Sequence, residues 1–260
     1  MALLQHIDIG CDVGEGFGVY KYGYDEEVME YITSANIACC FHAGDPVVMH
    51  KTLQMAAAKK VAVGAHPGLP DLLGFGRRFM NVSAPDLCDY ITYQVGALEA
   101  FCKINGVRLE HVKFHGALAR MSATDKGLAT MLVERIKRYN SGLILVAFAG
   151  SALEEAALEL GLPVAAEVLI DRGYGGEGNL IPVSKPGGIV REPGRILEQV
   201  EEVVVNSRIK TVQGSYVNLN RVHTLGFHFG TTGIDLVREI RSRLENLGVR
   251  VLPVGGFIGK

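Results

Sequence analysis

Short runs of β-branched and apolar residues alternate along the chain with longer stretches whose apolar positions recur at helical spacing. The strand pattern falls at 7–12 (Ile-Asp-Ile-Gly-Cys-Asp), 36–41, 61–65 (Val-Ala-Val-Gly-Ala), 109–114, 143–148 (Leu-Ile-Leu-Val-Ala-Phe), 165–170, 210–213, 224–229 and 249–254. The helical pattern falls at 25–32, 46–59, 85–105, 124–140, 152–160, 193–206 and 232–247. Ser83-x-x-Asp86, Ser122-x-x-Asp125 and Ser151-x-x-Glu154 read as helix N-caps, and Asn246-Leu-Gly248 as a helix stop. Repeated strand-then-helix units predict a parallel sheet with helices outside it. Seven or more such units in 260 residues favour a closed or nearly closed α/β barrel, a single domain over 1–260. The Gly- and Pro-rich stretch 171–194 is the longest irregular segment and reads as a lid or site-lining loop.

Composition narrows the setting. Hydrophobic residues make up 48% of the chain, enough for a sizeable core, and the net charge is -2 with His neutral. That near balance gives no electrostatic footprint for nucleic acid or an anionic membrane. No apolar run reaches the roughly 18 residues of a membrane span. Met1-Ala-Leu-Leu-Gln-His6 lacks a basic n-region and an apolar h-region, so a cytoplasmic protein is expected. The five cysteines (11, 39, 40, 88, 102) include no CxxC, which points to free thiols rather than disulfides or a thiolate zinc site.

In a barrel of this kind the chemistry sits where strands end and helices begin, and polar residues gather at those places. Asp8, Gly10 and Asp12 share one strand face, with Glu15 just beyond. Two carboxylates facing the barrel interior must be paired, hydrogen-bonded or metal-bound, unless they belong to a solvated turn. His42 ends an apolar strand, and Asp45-Pro46 reads either as a helix start or as part of a site. His66 closes another apolar strand, and Arg77-Arg78 follow in its loop, able to hold a carboxylate. His111, Lys113 and His115 share a face, where a lysine suits electrostatic stabilisation. Asp171-Arg172 is either an ion pair or a substrate clamp, and His228 precedes a small-residue turn. There is no GxxxxGK[ST] phosphate loop and no GxSxG elbow.

These motifs resemble a known family. Asp8-Ile-Gly-Cys-Asp-Val-Gly-Glu-Gly-Phe-Gly18, Ser34-Ala-Asn-Ile-Ala-Cys-Cys-Phe-His-Ala-Gly-Asp45, Gly64-Ala-His-Pro67 with Gly74-Phe-Gly-Arg-Arg78, Tyr93-Gln-Val-Gly-Ala97 and Asp171-Arg-Gly-Tyr174 look like the LamB/YcsF family, the A component of the prokaryotic-type ATP-dependent 5-oxoprolinase. The resemblance runs from about residue 6 to 253. It implies a distorted (β/α) barrel similar to the glycoside hydrolase/deacetylase superfamily. It also implies opening of the 5-oxoproline lactam to glutamate with ATP hydrolysis, alongside subunits B and C. The chain departs from the family pattern at Gly10 (Asn in the family), Cys40 (Gly), Phe114 (Pro), Ala119 (Tyr), Arg120 (Asn), Val183 (Arg) and Phe229-Gly230 (Gly-Asp).

Carried over position by position, the catalytic set is Asp12, Glu15, His42, His66, Lys113 and His115, and the substrate-binding set Asp45, Arg77, Asp171, Arg172 and His228. Three readings follow: a lactam-opening enzyme that uses ATP with its partner subunits; a relative acting on a less polar small molecule, with a divalent metal on Asp12, His42 and His66; and a non-catalytic member of a complex. Neither nucleic acid nor membrane is an expected partner, and a homo-oligomer stays open.

Overall fold

A computed structural model describes residues 3–229 and 232–258. Seven parallel strands close into a barrel: β1 (His6–Val13), β2 (Ser34–Ala38), β3 (Ala62–His66), β4 (Leu109–Lys113), β5 (Ile144–Phe148), β6 (Val164–Leu169) and β9 (Thr224–Phe227), which pairs back onto β1. The two expected late strands lie outside this ring. β7 (Arg208–Lys210) pairs antiparallel with β8 (Tyr216–Asn218) as a separate hairpin, and β10 (Arg250–Val251) pairs with the first residues of β1. Strands covered by helices on one side and a filled interior on the other are buried throughout, which explains their near-continuous apolar runs.

The helices are α1 (Asp25–Val28), α2 (Pro46–Lys59), α3 (Ala84–Ile104), α4 (Gly116–Thr124), α5 (Lys126–Tyr139), α6 (Ala152–Leu160), α7 (Pro193–Asn206) and α8 (Ile234–Asn246). Ser83 and Ser151 cap α3 and α6 as their spacing predicts, each accepting from the backbone N–H three residues on. Ser122 does not cap. It lies inside α4, where its hydroxyl donates to the Leu118 and Ala119 carbonyls, and Asp125 caps α5 instead. A Ser that bonds back to its own helix satisfies itself locally and mimics a cap in sequence. The 25–32 segment is helical only over its first four residues.

The barrel interior is chemically divided. Ile144, Val146 and Ala165 from β5 and β6 pack on Val254, in the turn after β10. Because β10 pairs with the start of β1, this apolar plug fills the N-terminal end. On the opposite wall Asp8 accepts hydrogen bonds from the Thr33, Ser34 and Thr224 hydroxyls at 2.6–2.7 Å. Burial nevertheless lifts its carboxyl to about 6. No helix among the described residues is long and apolar enough to cross a membrane. All five cysteines are free thiols.

Candidate active site at the C-terminal mouth of the barrel

Lys113 is the last residue of β4 and turns inward between two carboxylates. Its Nζ donates to Asp12 Oδ1 at 2.9 Å and contacts Glu167 Oε1 at 2.8 Å. All three residues are at most 5% exposed. Burial opposes the charge on Lys113, but Asp12 and Glu167 carry its pKa above the ordinary lysine range. Burial likewise opposes a charge on Asp12, but His66 and Lys113 hold its carboxyl well below the usual range. The inward turn needs space on neighbouring strands. A Cβ on Gly226 would sit 2.2 Å from Glu167 Oε1, and one on Gly64 would sit 2.0 Å from the His111 ring. With that space, the His111 Nε2–H donates to Asn36 Oδ1 at 2.8 Å, and the Asn36 amide donates to Asp12 Oδ1 at 2.9 Å. Burial and the nearby Lys113 push His111 down to about 3, so it is a neutral positioning ring.

Above this floor sit three imidazoles and a carboxyl. His66 Nδ1 faces the Lys113 carbonyl at 2.8 Å, and its Nε2 lies 3.2 Å from Asp12 Oδ2 and 2.9 Å from His115 Nδ1. His115 Nε2 faces the Phe75 carbonyl at 2.8 Å. His42 stacks on His115, ring centroids 3.7 Å apart and planes within 5°. Neither ring nitrogen of His42 has a hydrogen-bond partner among the described residues. Glu15 Oε1 lies 3.6 Å from His42 Nε2 and 3.9 Å from His115 Nδ1. Burial, with the Asp12 charge beside it, pushes the Glu15 carboxyl up to about 7. Burial drives His42 and His115 well below the ordinary imidazole range, with neighbouring imidazoles adding to the effect. One ligand atom each from Glu15, His42, His66 and His115 lies within 4.8 Å of the others, close enough to hold a metal ion. The converging set is therefore not Asp12, His42 and His66, because Asp12 is engaged from behind by Lys113 and Asn36.

The site has a roof. Phe75 stands edge-on to His42 and His115, with centroids 5.8 and 5.3 Å away, and meets Tyr22 from the β1 loop at 5.3 Å. Gln94 of α3 brackets the loop after His66, its amide accepting from Gly68 N and donating to Gly68 O, both at 2.9 Å. Arg77 lies exposed on this rim, its guanidinium 5.2 Å from the Phe75 ring centre.

The remaining expected residues take other places. Asp45 caps α2 through the Val47 and Val48 amides and holds the Gly18 amide at 2.7 Å, tying the β1 loop to α2. Asp171 accepts from His228, at 3.0 Å from both its backbone N and its Nδ1. Burial opposes a charge on His228, but Asp171, assisted by Asp12, lifts its pKa above the ordinary value. Arg172 donates to the Gly188 and Ile181 carbonyls at 2.7 and 2.6 Å, pinning the 171–194 loop. Asn36, His111, Glu167 and Gln94 are the neighbours that sequence reasoning passed over as site residues.

The chain has known relatives. Residues 7–258 match the LamB/YcsF family. The chain belongs to the LamB/YcsF family. It is 46% identical over 256 residues to a Pyrococcus abyssi protein named as the A component of 5-oxoprolinase, covering 98% of this chain and 100% of that one. It is 43% identical over 249 residues to the Bacillus subtilis protein of the same name, covering 95% and 96%. Among solved structures it is similar to the lactam utilization protein of Thermus thermophilus, with a TM-score of 0.89 at 38% identity over 95% of this chain and 99% of that one.

The departures from the LamB/YcsF pattern can now be placed. Cys40 has φ 70°, in the left-handed region that favours glycine, the residue the resemblance implies there. Phe114 and Ala119 are buried and line a small space beside Lys113 and Glu167. Gly10 faces Asp8, Asn36 and Thr224. Arg120 donates to the Arg77 carbonyl at 2.8 Å, Phe229 packs edge-on against Tyr24, and Val183 is exposed in the 171–194 loop. Gly230 lies outside the described residues.

Proposed function

We propose that this chain is the A component of a 5-oxoprolinase-type hydrolase, opening 5-oxoproline or a related cyclic amide to the amino acid. ATP drives the reaction, and subunits B and C of a cytoplasmic complex help to hold it. Relatives of matching length, named as the A component of 5-oxoprolinase, support this reading. The observation that carries it is the buried cluster of Glu15, His42, His66 and His115 over the Asp12–Lys113–Glu167 floor.

Opening a lactam breaks its C–N bond, joins a water oxygen to the carbonyl carbon and leaves one water proton on the nitrogen. Phosphorylating the carbonyl oxygen from ATP releases ADP and makes that carbon a better electrophile. Once water has added and the C–N bond has broken, an acyl phosphate remains, and a second water hydrolyses it to the free carboxylate and phosphate. The chain must polarise the carbonyl and carry the proton. Glu15 is the carboxyl of the cluster that accepts the water proton and returns it to the leaving nitrogen. A neutral His42 carries one N–H without a hydrogen-bond partner among the described residues, and it donates to the carbonyl oxygen. Asp12, kept ionised by Lys113, sets a negative charge beside His66, whose ring is held by the Lys113 carbonyl. A divalent cation on Glu15, His42, His66 and His115 would supply Lewis-acid polarisation of the same oxygen. Because the cluster is buried beneath Phe75 and Tyr22, those loops open to admit substrate.

The test is to mix the purified chain with subunits B and C, ATP and a panel of cyclic amides, and to follow ADP and amino acid together. Equal release of both from 5-oxoproline, only when this chain is present, is expected. Release that does not need the chain refutes the reading.

A further inference from the structure

The His66–His115 contact poses a problem of lone pairs. A carbonyl only accepts, so His66 Nδ1 facing Lys113 O carries its proton, and so does His115 Nε2 facing Phe75 O. In neutral rings the other two nitrogens, His66 Nε2 and His115 Nδ1, then bear lone pairs. They point at one another across 2.9 Å, and the Asp12 Oδ2 lies 3.2 Å from the same His66 Nε2. Two buried lone pairs at that distance repel unless something electropositive lies between or beside them, either a shared proton or a metal ion.

Four observations favour the metal. Each ring is fixed by an N–H to a backbone carbonyl, the usual orientation device behind a metal-ligating histidine. The two nitrogens lie 2.9 Å apart, within about 0.5 Å of the roughly 3.4 Å that bonds of about 2.1 Å span at a tetrahedral ion, so a small parting of the rings admits one. His42 is fully buried and neither ring nitrogen has a hydrogen bond among the described residues, so none there stops its ring tilting from the stack on His115 toward the same point. Glu15 supplies a carboxylate oxygen within the same 4.8 Å group. Three imidazoles and one carboxylate suit a borderline transition metal of the zinc class rather than magnesium or calcium, which prefer all-oxygen cages.

We infer that His66 Nε2, His115 Nδ1 and His42 Nε2 bind one divalent transition-metal ion of the zinc class, with the Glu15 carboxylate beside it at the fourth position. Asp12 lies outside this set, its Oδ1 held by Lys113 and Asn36. The site stands on donor geometry and does not depend on the substrate being a lactam.

Chelator-stripped protein titrated with Co²⁺ and Zn²⁺ tests it. The expected result is one equivalent per chain by calorimetry, with a visible cobalt d–d spectrum displaced by Zn²⁺. His42→Ala should weaken binding at least about ten-fold, and His66→Ala and His115→Ala about a hundred-fold or more. Circular dichroism of each variant checks that the fold persists. His42→Ala keeps the test open if the other two unfold, because the His42 ring has no hydrogen bond among the described residues to lose. The inference is overturned by wild-type protein that binds neither ion stoichiometrically, which leaves a shared proton at His66–His115. It is equally overturned by binding that His42→Ala leaves unchanged.

Discussion

Replacing Lys113 with methionine removes the one ammonium that the Asp12 and Glu167 carboxylates share. At 2.8–2.9 Å each pair attracts by about 6 kcal/mol at an effective dielectric near 20. Desolvation of the three charges offsets much of that, and breaking such a buried pair leaves a net loss of about 3–5 kcal/mol. The loss depends on pH in a defined direction. In the wild type the folded-state pKa of Asp12 is depressed, so its stabilisation is present above the unfolded value and is lost as pH falls through the folded one. In Lys113→Met the two carboxylates face each other without that counter-ion, and one of them has a raised folded pKa. The variant therefore gains stability as pH falls through that value. Urea unfolding followed by circular dichroism from about pH 8 to about pH 5 should show the gap between the two proteins narrowing. Adding Glu167→Gln should restore about 1–2 kcal/mol at neutral pH, because only Asp12 is then left uncompensated. A loss below about 1 kcal/mol, or one that does not vary with pH, refutes the triad as the charge centre of the floor.

Cys40→Gly should stabilise the protein by about 1 kcal/mol, since it relieves a left-handed residue at φ 70°; an unchanged or lowered denaturation midpoint contradicts this. Gly64→Ala should destabilise by about 1–3 kcal/mol or more, because the new Cβ meets the buried His111 ring at 2.0 Å; an unchanged melting temperature counts against that packing. Asp8 has a folded pKa of about 6 against 3.8, so its contribution is full below the unfolded value and is lost as pH rises through about 6. The wild-type stability relative to Asp8→Asn should fall by about 2 kcal/mol between pH 4 and pH 6.5, and a flat difference contradicts the shift.

The barrel was legible because its strands carry apolar runs and its helices carry caps, which are local signals. Helix 46–59 and the caps at Ser83 and Ser151 needed nothing beyond the neighbouring residues. α4 was hidden because Ser122 imitates a cap while bonding within its own helix. The β7–β8 hairpin was hidden because its three-residue strands are too short to show alternation. The six residues expected to be catalytic do meet at one mouth, because strand ends in a closed barrel converge. Their partners were not legible: Glu167 and Asn36 read as ordinary strand residues until closure sets β6, β2 and β4 around Asp12. Asp45 shows the opposite limit, since a cap and a site carboxylate share one sequence signature.

The central claim is that the Glu15–His cluster carries out the opening of a cyclic amide. The most direct measurement is glutamate formed from 5-oxoproline and ATP by the reconstituted complex, with wild-type chain compared with Glu15→Gln and His66→Ala. The account predicts release with the wild type and a loss of about a hundred-fold or more in each variant, while both still assemble with subunits B and C. Release at the wild-type rate from either assembled variant contradicts it.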